Sequence, residues 1–511
     1  MHKLVVAMAM ATAIAATAQE GRAATTHAGP SHAPARTLVD QAMQALGGEA
    51  RLRAFGVVRI HAMRTRNALE QSIRPEGPYI DTVDDLIETR RFAHPALRDD
   101  LRSRGFAADW VNGARWVESS VLVTAGEAIA TRNGTTAPAS YATVQGAEES
   151  LALGPERVLL TAAEAPDLHL AAPATLHGFQ HDVLAFTWRG APVRVYLEPV
   201  SHMIAAVEIT RPRPYHIFWS SWGDVTTRIS FDVWMIEANG IHYPRRWTIE
   251  GNGRVAESWF VDRVEFDPAD AASLDADTGM IAKAKATHRL IEDTPLPDAS
   301  HAVTLAPGIT LRPGSWNVTK VATTSGTWII EAPIANHYSE QVIREVTASG
   351  QKIAGLITTS DSWPHIGGVR EYVARHIPIV ALDLNLPILK RLVAAPHRQA
   401  PDLLATKPAA PILRPLSTDI WLGDGPNRMR LMPFRTVTGE RQFAIWWPAH
   451  RLLYTSDLFT VTPDGSVFLP QYLDETRDLV RREHLDVKTI FGMHYGPTDW
   501  DALIRRQTAG S

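Results

Sequence analysis

The chain has 511 residues, 45% of them hydrophobic and 21% charged, more than one ordinary core holds, which predicts two domains behind a leader. A formal charge of −4, with no basic run, weighs against a nucleic-acid partner. The absence of cysteine excludes disulfides, thiolate metal ligands and a cysteine nucleophile.

Lys3 and the apolar run Leu4 to Ala18, ending in Ala16-Thr17-Ala18, have the form of a secretory signal over residues 1–18. The run is too short to span a bilayer as a helix, and no other run approaches that length. The mature chain is therefore expected to carry no transmembrane segment, and to be periplasmic if the source is Gram-negative. Residues 19–36 are rich in Ala, Pro, Ser and Thr, which predicts a disordered linker. Apolar residues recur at helical spacing from Thr37 to Leu46, where Gly47-Gly48 forms a stop. A short helix from Glu49 to Ala54 and a strand from Val57 to Ala62 follow.

From about residue 180 to 266 the pattern changes to alternating strands, with turn pairs Asn239-Gly240 and Asn252-Gly253. Residues 37–270 are thus expected to form an antiparallel, half-barrel-like β-sheet domain with two N-terminal helices. Trp219, Trp222 and Trp234 are expected to pack that sheet. Residues 271–305, with Pro295 and Pro297, form a connector. From Ala306 onward strands alternate with helices: strands near 316–321, 327–331, 355–358, 377–381 and 487–491, and helices near 338–348, 369–375, 384–393, 473–483 and after Thr498. Trp446-Trp447 is assigned to the core. Gly-rich phosphate loops and the Gly-x-Ser-x-Gly elbow are absent.

Four landmarks stand in order within this last region: Glu331-Ala-Pro333, Ser360-Asp-Ser362-Trp-Pro-His365-Ile-Gly-Gly368, Tyr454-Thr-Ser-Asp457-Leu-Phe459 and Gly492-Met-His494-Tyr-Gly496. Together they resemble the metallo-β-lactamase superfamily, over roughly residues 306 to 505. The resemblance implies an αββα sandwich for residues 306–511, giving an α+β chain overall. In the family a His-x-His-x-Asp-His turn binds two metals. Here Ser360 and Ser362 stand at the first two histidine positions, Pro364 at the aspartate, and Thr438 at a later histidine, while His365 is kept. Neutral hydroxyls are poor zinc ligands, so the first metal position is expected to be lost.

For the second position the resemblance carries over His365, Asp457 and His494, two imidazoles and one carboxylate. Such a set suits one zinc, iron or manganese ion with an open coordination place. His365 and Asp457 would then serve a water nucleophile, and the chain would be a single-metal hydrolase of an ester, amide or phosphoester in a small-molecule substrate. Against this stands a metal-free pseudoenzyme or ligand-binding protein, using the cleft or the N-terminal sheet. In that case His365 caps a helix, Asp457 bonds loop amides and His494 is a turn residue. Asp361 is a candidate substitute ligand, although strand alternation turns it away. His337, His376, His397, His450 and His484 find no partner motif and are assigned to the surface or to caps. Trp363, beside the altered turn, is a candidate to fill space vacated by metal ligands.

Overall fold

The protein is described from a computed structural model, which covers residues 32–72, 79–105, 116–270, 273–436, 439–461, 465, 467–468 and 470–509. The signal-peptide expectation and Thr438 lie outside those residues. Part of the linker expectation is corrected. The first helix spans His32–Ala45, so residues 32–36 are helical, and Ala35 is fully buried. Alanine has the highest intrinsic helix propensity, and this Ala-rich segment gains a core to pack against, which composition alone does not reveal. The second helix, Glu49–Ala54, falls where the sequence places it.

Among the described residues, thirteen antiparallel strands form one sheet between Val57 and Phe266. It consists of two meanders. The first runs outward from Val57–Ser72 to Thr135–Pro138, and the second inward from His169–Leu176 to Arg254–Phe266. The first and last strands pair at the centre, with Val58 opposite Phe266 and Arg66 opposite Glu257. Irregularities at His61/Ala62 and Ile249/Glu250 add local bends. Helices Tyr141–Leu153 and Val158–Glu164 join the meanders. Leu38, Val39 and Met43 of the first helix pack with Ile60, Phe186, Val195, Phe231 and Trp247 in the main core of this half. Asn252 and Gly253 both adopt positive φ, as a two-residue hairpin turn requires.

Two further sheets follow. One has seven strands from Val303–Ala306 to Leu413–Leu416, and its last four run parallel. The other has six, from Ile420–Leu422 to Thr498–Asp499. Leu311, Ile330, Ile357 and Val380 of the first share one buried core with Leu431, Ile445, Trp447 and Phe491 of the second. Helices Asn336–Ala348, Val369–Ala374 and Leu386–Ala394 pack with Ile329, Leu356, Ile379 and Ala381. Leu473 and Leu479 of Pro470–Arg482, with Leu503 of Trp500–Ala509, pack with Ala444, Leu453 and Ile490. Trp446 and Trp447 are both buried, as expected, but strand alternation sends them into different cores. After Thr498 a two-residue strand precedes the last helix, because Thr498 pairs with Ile490.

Asp224 ties the long sheet to the loop after Leu386–Ala394. Its backbone N–H donates to Pro396 O at 2.7 Å, and its carboxylate accepts from the amides of Arg398 and Gln399 at 2.9 and 3.2 Å. No helix among the described residues is long and apolar enough to cross a membrane.

Candidate functional site

Three strand ends converge on His365. Glu331 follows Gly326–Ile330, Thr359 follows Ile353–Thr358, and Asp457 lies just past Leu452–Tyr454. Residues leaving parallel strands at their carboxyl ends are turned into a common crevice. Glu331 (φ 76°) and Ser456 (φ 59°) both hold the left-handed backbone that non-glycine residues avoid. Such strain persists only where neighbouring contacts over-determine it.

His365 itself sits on the short helix Trp363–Ile366. That turn is pressed against residues 331–335: Ala332 N–H donates to His365 O at 3.0 Å, and Gly368 N–H to Ala332 O at 2.8 Å. Gly368 is required for this approach, because a Cβ there would lie 2.1 Å from Ser339 Oγ and 2.5 Å from Ala335 O. Gly368→Ala is accordingly expected to destabilise the chain by about 1–3 kcal/mol, read as a shift in the urea midpoint at unchanged slope.

The imidazole is fully enclosed and lies between two carboxylates. Its Nδ1 is 2.7 Å from Glu331 Oε2 and its Nε2 is 3.0 Å from Asp457 Oδ2. Burial alone would lower the His365 pKa, but the Glu331 and Asp457 carboxylates override it and raise the value to about 10. Burial likewise pushes the Asp457 carboxyl up, yet the His365 imidazolium holds it down at about 2. Glu331 is fixed in turn by Tyr454 Oη, which donates to its Oε1 at 2.9 Å, and by the Thr359 hydroxyl and amide. Ser456 Oγ lies 2.7 Å from Thr359 Oγ1, and Ser362 Oγ donates to Asp457 Oδ2 at 3.3 Å. Glu331, Thr359, His365, Ser456 and Asp457 thus form one polar core.

His494 stands apart. It is half-buried, and its Nδ1 lies 3.0 Å from Ser315 O, where it can donate. Burial lowers its pKa, an effect partly offset by the nearby Asp457 carboxylate, so it remains within electrostatic range of the core. Asp361 forms a buried ion pair with the Arg441 guanidinium. The candidate substitute ligand, which strand alternation turns away, therefore has a cation of its own. Trp363 is buried and meets Trp316 edge-on at 4.8 Å between ring centres.

Whether these donors fit a resident metal ion depends on the third ligand. Two ligands of one tetrahedral zinc stand about 3.3 Å apart, so the His365–Asp457 separation alone suits either an ion pair or a shared ion. Among the described residues, no three His, Asp or Glu side chains gather closely enough to hold a metal. Ser360 and Ser362 offer only hydroxyls, and Asp361 is engaged by Arg441. The donor set does not fit a metal. Of the residues named from sequence, the structure joins His365 to Asp457 and brings in Glu331 as the second carboxylate, with His494 in electrostatic reach of all three and its Nδ1 on Ser315 O. Arg441 was not legible, since no local pattern links it to Asp361 eighty positions earlier.

No family model matches this chain, and no curated protein matches it. Solved structures similar to it are metallo-β-lactamases. TMB-1 is 17% identical, covering 41% of this chain and 95% of its own, with a TM-score of 0.31. DIM-1 metallo-β-lactamase is 13% identical, covering 41% and 98%, with a TM-score of 0.31. A metallo-β-lactamase from Pontibacter korlensis is also 13% identical, covering 41% and 97%, with the same TM-score of 0.31. The likeness is distant.

Proposed function

We propose that residues 306–511 form a metallo-β-lactamase-like αββα sandwich whose metal centre has been replaced by internal ion pairs, and that the chain acts as a binding protein. The layering of two sheets around one shared core, with helices packed on other faces, supports the sandwich. One observation carries the loss of the metal: the ring nitrogens of the fully buried His365 lie at ion-pair distance, 2.7 and 3.0 Å, from oxygens of two carboxylates. An imidazolium placed there supplies the positive charge that a divalent ion would otherwise bring to Asp457. The Arg441–Asp361 pair does the same for the neighbouring carboxylate. The Ser362 hydroxyl donates to Asp457, so each carboxylate of the site has partners within the protein.

Single-metal hydrolysis remains the competing reading, favoured by the carbonyl contact at His494 Nδ1, which is how metal-ligating histidines are often oriented. Elemental analysis of untagged protein purified without chelator separates the two. Well below one metal ion per chain, with unfolding unchanged by EDTA or added zinc, is the expected result. Near-stoichiometric zinc, iron or manganese that disappears in both His365→Ala and His494→Ala would establish the hydrolase instead. Export is part of the same reading, with residues 1–18 as its signal, and the mass of the mature chain tests it.

A further inference from the structure

The N-terminal half contains a cavity of about 340 Å³ between the helix Tyr141–Leu153 and the sheet strands beneath it. That volume is in the range of small-molecule pockets. Its walls are unusual in carrying buried charge. Most of that charge is answered within the protein. Glu149 meets Arg213 at 2.6 Å, Glu88 meets Arg90 at 2.6 Å, Glu250 meets Arg228 at 3.5 Å, and Arg64 meets Asp84 at 2.8 Å and Glu257 at 3.7 Å. His216 adds no charge near neutral pH, because burial, reinforced by Arg213, lowers its pKa to about 4.

Two acceptors on the wall are left over. Gln145 is 6% exposed, and its Oε1 is buried with no hydrogen-bond partner. Asp99 Oδ1 is likewise buried and unpartnered, and the groups in electrostatic reach of Asp99 are the Glu88 and Glu257 carboxylates and the Arg64 guanidinium, which Asp84 and Glu257 already share. Orphaned buried acceptors are rare in folded proteins because each forfeits its bond to water. Gly146, between Gln145 and Ala147 on the same helix, has nothing within 4 Å of the place a Cβ would take. Gly146 is itself exposed, so this space is the solvent side of the cavity it lines.

We propose that this cavity binds a small organic ammonium, whose N–H groups donate to Asp99 and Gln145 and whose apolar body lies against Trp219 and Ile249. The surplus is of acceptors, beside the adjoining carboxyl groups of Asp99 and Glu88, so an anion is disfavoured and an ammonium complements both. Burial and the adjoining Glu88 carboxylate raise the Asp99 pKa well above the usual range, against the Arg64 guanidinium, which lowers it. The site is far in sequence from His365 and does not depend on whether a metal binds there.

Calorimetric titration of the full chain with ethylammonium and phenethylammonium, and with phenylacetate as the charge-reversed control, tests this. Saturable binding of at least one amine and none of phenylacetate is expected. Asp99→Asn keeps the shape and should weaken amine binding by roughly tenfold or more, the loss of a charge-assisted hydrogen bond. Gly146→Phe fills the cavity from the helix side and should abolish binding. If it unfolds the chain, judged by circular dichroism, Asp99→Asn alone decides. No saturable binding of either amine, equal binding of phenylacetate, or affinity unchanged in Asp99→Asn overturns the proposal.

Discussion

Replacing His365 with alanine is expected to lower the unfolding free energy by about 3–5 kcal/mol, because it strips the cation from a buried site and leaves its carboxylates. Glu331 and Asp457 would then face one another across a cavity with nothing to neutralise either. Solvation cannot compensate at Glu331, which is 1% exposed, and can do so only in part at Asp457. Urea unfolding measures the loss. A control distinguishes lost charge balance from lost volume: the triple variant Glu331→Gln, His365→Gln, Asp457→Asn removes every charge while keeping similar shapes. It should be more stable than His365→Ala, a non-additive outcome diagnostic of one coupled network. A loss within about 1 kcal/mol for His365→Ala would mean the ion pairs contribute little, as exposed pairs do.

Stability should depend on pH in a window set by the same pair. The His365 pKa rises from about 6.5 unfolded to about 10 folded, so its contribution is complete below the unfolded value and is lost as pH climbs through 10. The Asp457 pKa falls from 3.8 to about 2, so its contribution is present above 3.8 and is lost as pH drops through 2. Both shifts describe one interaction and are counted once. The network is therefore most stabilising between about pH 4 and 6.5, and it should decline by a few kcal/mol toward pH 10. Comparing wild type with the charge-free triple variant across that range cancels other titrating groups. A difference that stays flat from pH 6.5 to 10 would contradict the assignment.

How much of this could be read from sequence follows from where polarity faces. The helix Asn336–Ala348 and the strands after residue 180 place apolar residues inward at regular spacing, so their periodicity shows. The first meander does the reverse. Asp84 is fully buried and paired with buried Arg64 and half-exposed Arg66, and Arg90 is buried with Glu88 and Glu156. Strands Tyr79–Arg91 and Ala96–Gly105 thus carry charge on a buried face, and a hydrophobic pattern has nothing to mark there. At the site, His365 and Asp457 were legible because each ends a landmark in the expected order. The meeting of Glu331 with the other side of the ring was not, as it depends on the positive φ at Glu331 and the close packing at Gly368. Asp361 was assigned by strand alternation, whereas the chain there has already left the strand Ile353–Thr358 and turned toward Arg441.

Nitrogen-15 NMR of the His365 ring near pH 8 bears most directly on the claim that a doubly paired imidazolium replaces a metal. Both ring nitrogens should carry protons, with shifts of a charged imidazole that persist in EDTA. A single protonated nitrogen, with the other in the shift range of a bare or metal-bound ring nitrogen, would contradict it.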